Sequence, residues 1–188
     1  MIKLIVGLGN PGQSYEKTRH NAGFLFLDDL IRETGVSWSM QSKFDGLFAE
    51  TVISGVRVLL LKPSTFMNRS GQSVGKVVKY YKIAPEEVLV VHDELDFNPG
   101  IIKLKKGGGH AGHNGLRDVI VHLDSKDFYR LRVGIGRPPV GKLVSDFVLS
   151  VPSKVECSEI DRALSVGLSY VGQMVDGDLS VVMSKINS

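Results

Sequence analysis

"VLVVHDELDFNPG", residues 88–100, begins with four consecutive apolar residues and then turns abruptly polar. A strand with one wet face alternates apolar and polar side chains. A run without alternation suits a strand buried on both faces, as in sheets with helices packed on either side. "IKLIV" (2–6), "LFAETVI" (47–53), "VRVLLL" (56–61), "IIKLK" (101–105) and "RLRVGIG" (130–136) read as further strands. Between and after them apolar residues recur at three and four: Phe24, Leu27, Leu30 and Ile31; Val74, Val77, Val78 and Tyr81; Leu116, Val119, Ile120 and Leu123; Ile160, Leu164, Leu168 and Val171. Those spacings predict amphipathic helices. Strands alternating with helices predict an α/β fold whose mainly parallel or mixed sheet is covered on both faces. Sites in such sheets lie beyond the carboxyl ends of the strands. The polar residues to examine are therefore Asn10 after the first strand, Pro63 to Asn68 after "VRVLLL", and Asp93 after "VLVV".

With 188 residues the chain suits one globular domain, residues 1–188, and no repeat, linker or low-complexity tract divides it. Composition is that of an ordinary folded protein, 43% apolar and 23% charged. The N-terminal "MIKLIVGLGNPG" lacks the h-region and cleavage site of a secretory signal, and no apolar stretch approaches the ~18 residues of a membrane span. A cytoplasmic protein is expected. The single cysteine, Cys157, has no intrachain partner and lies in a helical pattern, which points to an inert thiol. A net charge of +3 mildly favours an anionic partner.

Three short motifs invite functions that their surroundings oppose. "GLGNPG" (7–12) matches the dinucleotide fingerprint, but the polar "QSYEKTRHN" separates it from the next helix, whereas pyrophosphate needs the helix N-terminus at once. "GQSVG" (71–75) matches a nucleophile elbow around Ser73. The strand "VRVLLL" ends about a dozen residues earlier, so Ser73 reads as a helix-start serine. "GGGHAGHNG" (107–115) offers His110 and His113, which could hold a metal with Asp93. Without a third clustered ligand, a loop that lets backbone approach a large substrate is the better reading, and neither metal nor cofactor is expected. What remains is "KTRHNAG" (17–23), which puts His20 where a helix begins, together with Asp93 and the amides of Asn10, Asn21, Asn68 and Asn114 near the rim of one sheet.

Taken together, "GLGNPGQSYEKTRHNAGF", "LLKPSTFMNRSGQSV", "VVHDELDFNPGIIKLKKGGGHAGHNGLRDVI" and "RLRVGIGRP" resemble the bacterial peptidyl-tRNA hydrolases, in order and at family-like spacing over residues 1 to about 150. The resemblance implies a monomeric α/β globule with a twisted mixed sheet. It also implies an esterase that frees the peptide from the 3′-terminal ribose of tRNA and so recycles peptidyl-tRNA from stalled translation. It matches His20 to the family's proton acceptor and Asp93 to the carboxylate that steadies it. Asn10 falls at the position that separates N-blocked peptidyl-tRNA from free aminoacyl-tRNA. Tyr15, Phe66, Asn68 and Asn114 fall at tRNA or peptide contacts, with Met67 and His113 beside them, and Lys105 and Arg132 fall at a clamp for the terminal phosphate.

This chemistry is intelligible from the residue types. An imidazole titrating near pH 6.5 is a proton acceptor at cellular pH, and a carboxylate on its other nitrogen fixes the tautomer. Water is then the nucleophile, with Asn68 or Asn114 as candidate donors to the oxyanion. Lys103 and Lys105 alternate on one strand and Arg130 and Arg132 on another, so each pair shares a face that can meet phosphates; charge against edge pairing is the other reading of the lysines. Two rivals remain: a non-catalytic RNA-binding module, and a small-ester esterase built on Ser73.

Overall fold

A computed structural model describes residues 1–188. β1 (Leu4–Gly7) is buried at every residue. Two short 3-10 turns, Gln13–Tyr15 and Arg19–Asn21, lead from it into α1 (Ala22–Thr34). Phe26, Leu27 and Leu30 line the inner stripe of α1, each contributing roughly 1.5–3 kcal/mol by burial. The helix stops at Gly35, whose φ of 71° is left-handed and frees it from continuing the turn. β2 (Ser39–Gln41), β3 (Gly46–Ile53) and β4 (Val56–Pro63) then form an antiparallel meander. Its tight turn, Ser54–Gly55, has φ of 51° and 77°, the double positive φ that suits the twist of a two-residue hairpin. There follow α2 (Ser70–Tyr81), β5 (Val88–Glu94), β6 (Ile102–Lys106), α3 (Asn114–Leu123) and β7 (Tyr129–Gly134). The chain finishes with α4 (Val144–Val148), α5 (Lys154–Ser169), α6 (Val171–Asp176) and α7 (Leu179–Ile186).

The seven strands form one sheet in the order β2-β3-β4-β1-β5-β7-β6. β4, β1, β5 and β7 run parallel at its centre, while β2, β3 and β6 join antiparallel. Helices cover both faces, as the unalternating strands predict. α1 and the C-terminal helices pack on the face of Ile5, Leu60, Leu89 and Leu131. The other face holds Leu4, Val6, Leu59 and Val90 under α2 and α3. No helix is long and apolar enough to cross a membrane.

The structure corrects several element boundaries. β5 runs on through His92, Asp93 and Glu94, so Asp93 lies inside the strand rather than after it. His20 sits in the 3-10 turn before α1, not in the helix. The last apolar pattern breaks into α5 and α6 at Tyr170 and again at Gly177, whose φ is 101°. β6 forms one edge of the sheet, so the edge reading of its lysines has a basis in the topology. Part of that edge is covered: Leu104 N–H donates to Asn187 Oδ1 and Asn187 Nδ2 donates to Leu104 O, both at 2.9 Å.

Candidate active site

Because the central strands are parallel, the segments following β1, β4 and β5 meet at one rim of the sheet. α1 starts unusually close to that rim. A Cβ on Gly23 would overlap Leu8 N and Val91 O, so only glycine lets the first turn of the helix rest on the ends of β1 and β5. His20, three residues earlier, is thereby laid against Asp93.

Asp93 is buried and stands between two histidines. His20 Nδ1 lies 3.0 and 2.9 Å from its two oxygens, and His113 Nε2 lies 2.8 Å from Oδ1. Burial alone would raise the Asp93 pKa, but the charges and hydrogen bonds of His20 and His113 outweigh it and hold the carboxyl well below the usual range. A carboxylate only accepts, so the proton of His20 is on Nδ1 and its Nε2 keeps a lone pair. Burial pulls the His20 pKa down, yet the Asp93 charge and hydrogen bond more than compensate, leaving it raised from 6.5. The fourth member of the cluster is His92, fully buried, with Nδ1 2.8 Å from the Asp93 carbonyl oxygen and Nε2 without a partner. Burial, reinforced by His113, pushes its pKa down to about 3, so this ring is neutral.

His113 also caps α3, its Nδ1 accepting from Leu116 N–H at 3.2 Å. That fixes its proton on Nε2, the atom facing Asp93. His20, Asp93 and His113 offer ligand atoms within 4.8 Å of one another, the spacing of a metal site. The tautomer argues for a hydrogen-bonded cluster instead, because His113 would have to give up its cap to offer Nε2 to a cation.

The other residues singled out in the sequence divide into two groups around His20. Asn10, buried, is held by its neighbours: its N–H donates to Asn21 Oδ1 at 2.8 Å and its Oδ1 accepts from Met67 N–H at 2.7 Å. The Asn10 Nδ2 end remains to meet a ligand. Tyr15 and Phe66 meet edge to face at 6.3 Å, and Phe66 and Asn68 are exposed while Met67 is buried. On the opposite side lies a cavity of about 530 Å³ lined by His20, Asp93, His113, Asn114, Lys105 and Arg132, among others. Asn10, Tyr15, Phe66, Met67 and Asn68 are not on its wall.

Two basic residues depart from the expected phosphate face. Lys103, Lys105, Arg130 and Arg132 do share one face of the β6–β7 pair, since Lys103 is opposite Arg132 and Lys105 opposite Arg130. Arg130, however, is buried, and its guanidinium donates to the carbonyls of Gly108 and Gly109. It holds the glycine-rich loop in place. Lys103 Nζ donates to Asn187 O at 3.3 Å and is not on the cavity wall, whereas Lys105 and Arg132 are, with Arg132 4.7 Å from the centre of the Phe97 ring and 3.9 Å from a Glu94 oxygen. Ser73 is fully buried in α2, its Oγ without a partner, so it neither caps the helix nor reaches substrate.

Arg19 is a feature the sequence did not single out. Its guanidinium lies 4.2 Å from the centre of the Phe147 ring, donates to Ser150 Oγ at 2.6 Å, and grips both Glu156 oxygens at 3.0 and 2.9 Å. Glu156 itself closes the capping box of α5 with Ser153. The turn carrying His20 is therefore fastened to α4 and to the start of α5.

A family model described as peptidyl-tRNA hydrolase matches residues 4–188. A peptidyl-tRNA hydrolase of Dichelobacter nodosus (strain VCS1703A) is 50% identical over 179 residues, 95% of each chain. One from Pasteurella multocida (strain Pm70) is 49% identical over 188 residues, covering 100% of this chain and 97% of the relative. The crystal structure of peptidyl-tRNA hydrolase from Acinetobacter baumannii at 1.00 Å resolution superposes with a TM-score of 0.96 at 50% identity, over 100% of this chain and 95% of that one.

Proposed function

The chain belongs to the peptidyl-tRNA hydrolase family, and with that established we propose that His20 is the general base of its reaction. The protein is a carboxylic ester hydrolase of peptidyl-tRNA, cleaving the bond between a peptide or N-acyl amino acid and the 3′-terminal ribose. The observation that carries the proposal is the contact of His20 Nδ1 with both oxygens of a buried Asp93, at 3.0 and 2.9 Å.

Nε2 takes a proton from water as the water oxygen attacks the ester carbonyl. The oxyanion of the tetrahedral intermediate is met by the side-chain amide of Asn68 or Asn114, both exposed at the rim. Collapse breaks the bond to the ribose oxygen, which leaves with the proton now held by the imidazolium. Asp93 stabilises that imidazolium and keeps the ring from flipping. General-base help of this kind is worth about 10²–10⁴ in rate, and one oxyanion donor about 10²–10³.

Asn10, pinned through Asn21 and Met67, presents Nδ2 to the acyl end of the substrate, which suits discrimination of an N-blocked chain from a free amine. Tyr15 and Phe66 supply faces for the terminal base or ribose, with Met67 beneath them. Lys105 and Arg132 receive a phosphate without reading sequence. No step requires a metal or cofactor. The acting unit is a monomer, one domain over residues 1–188, working in the cytoplasm where translation stalls.

The test is release of N-acetyl amino acid from its tRNA, with and without EDTA, by wild type, His20→Ala and Ser73→Ala. Only His20→Ala is expected to lose activity, by about 10² or more. An active His20→Ala would remove the base and bring the non-catalytic RNA-binding role of the same basic face forward.

A further inference from the structure

We propose that His113 is a positioning residue for the hydrolysis, acting on His20 through Asp93 and making no contact with substrate; the proposal rests on the reading of His20 as base. Both ring nitrogens of His113 are already engaged by the protein. Nδ1 accepts from Leu116 N–H at 3.2 Å and Nε2 donates to Asp93 Oδ1 at 2.8 Å. An imidazole has two nitrogens, so none is left for a peptide or a nucleotide. The ring is also flanked by the other two histidines of the cluster. Its side chain is 10% exposed, with His20 and His92 ring centres each 5.1 Å away.

What the ring does hold is the plane of the carboxylate. Asp93 bonded only to His20 could rotate with that ring and follow it. A second donor, rooted in the first turn of α3, ties Oδ1 to a different element and leaves Asp93 one orientation in which to receive Nδ1. The base is thus positioned by three elements that meet at one atom pair: the 3-10 turn of His20, β5 and the start of α3. Preorganisation of this sort matters because about 1 Å of misplacement costs roughly 10² in rate. Asp93 also divides its charge between the two rings, so losing one donor leaves more of it for the other.

Two conservative substitutions separate the jobs of the ring. In His113→Asn, Oδ1 replaces Nδ1 as the cap of α3, but the side chain is too short to reach Asp93. In His113→Gln, the amide nitrogen reaches where Nε2 was, and the cap is lost. The other titratable groups on the cavity wall, His92 and Glu94 of β5, His110 of the glycine-rich loop, Lys105 of β6, Arg130 and Arg132 of β7 and the Asp96–Arg137 pair, are present in each protein, and His92, held neutral chiefly by burial, carries no charge into the comparison.

Steady-state hydrolysis of N-acetyl-aminoacyl-tRNA across pH, with thermal unfolding, reads both jobs. His113→Asn is expected to keep its KM, to lose about tenfold in kcat, and to move the acid limb of kcat/KM to higher pH, because Asp93 then serves His20 alone. His113→Gln is expected to lower Tm by about 2–4 °C through the missing cap while restoring most of kcat. A wild-type kcat and pH profile in His113→Asn, or a rise in KM at constant kcat, overturns the positioning role, the latter by revealing a substrate contact. His20→Ala is measured alongside. Retained activity there overturns the base reading, and this proposal with it, whatever the His113 variants do.

Discussion

Replacing Gly23 with alanine sets two effects of opposite sign against each other. An alanine in a helix is worth up to about 1 kcal/mol over glycine, so propensity alone predicts a more stable protein. The new methyl, however, would press on Leu8 N and Val91 O and stand 2.7 Å from Leu8 O. Leu8 N–H donates to Val91 O at 3.0 Å, the last hydrogen bond joining the end of β1 to β5, so the methyl lands on that bond. These are backbone atoms on both sides and cannot rotate away. Ordinary C···O contact lies near 3.3 Å, and α1 must retreat by about 1 Å. Overpacking costs about 1–3 kcal/mol, which exceeds the propensity gain, and Tm should fall by about 2–4 °C for each net kcal/mol.

Activity should suffer more than stability. His20 precedes Gly23 by three residues and Asp93 follows Val91 by two, so the displacement opens the contact between them, at a cost of about 10² in kcat. Single-turnover release of N-acetyl amino acid from tRNA at saturating enzyme measures that loss, alongside a thermal melt. Gly75→Ala in α2 is the control: its Cβ would stand 3.3 Å from His122 Cβ, an overlap of about a few tenths of an ångström that a slight shift of α3 relieves. That variant should keep its kcat and melt within about 2 °C of wild type, the propensity gain offsetting the crowding. A Gly23→Ala protein with wild-type kcat would show that α1 is not what lays His20 on Asp93.

Asp93→Asn keeps the shape of the site but removes the charge that raises the His20 pKa; the plateau rate should fall by about 10²–10⁴, and the acid limb of the pH–rate profile should move to lower pH. An unmoved limb would mean that another group governs it. His92 predicts acid lability. Its folded pKa of about 3 lies below the ordinary 6.5, so the unfolded chain binds the extra proton and stability is lost as pH falls from 6.5 towards 3, by roughly 2 kcal/mol at pH 5. His20, whose pKa is raised, works in the opposite direction: its contribution is present below 6.5 and lost as pH rises. Urea unfolding from pH 7 to 4 should therefore show a shallower slope in His92→Asn, which retains a donor for the Asp93 carbonyl; an equal slope would place the acid loss elsewhere.

The sheet was legible because its central strands are buried on both faces, and a run such as "VLVV" has no other comfortable environment. Its end was not. His92 and Asp93 are polar, so periodicity stops the strand at Val91, although the ladder to β7 continues through Glu94. Strands that carry function past the point where their pattern fades are expected to be misread in this way. Asn10 and Asp93 are legible by their place at strand ends, His20 by its place where a helix begins, and all three by resemblance. The double engagement of His113 left no signal, since the usual caps are Ser, Thr, Asp and Asn, and a histidine before "NGLRDVI" does not announce a helix start. Arg130 was misjudged because strand alternation assigns a side chain to a face but says nothing of a loop folding over it. The clasp of Arg19 was equally invisible, as pairing it with Glu156 requires the whole fold.

That clasp bears on the order in which the molecule assembles. Every strand is complete by Gly134, yet Ser150 and Glu156, which grip the residue beside His20, lie 131 and 137 positions further along than Arg19. Contacts of such long sequence separation form late, after closer pairings have already drawn the ends together. A chain emerging from the ribosome can therefore build its sheet while the turn bearing His20 is still loose. The hydrolase would acquire its reactive geometry only once α4 and the start of α5 have closed over that turn.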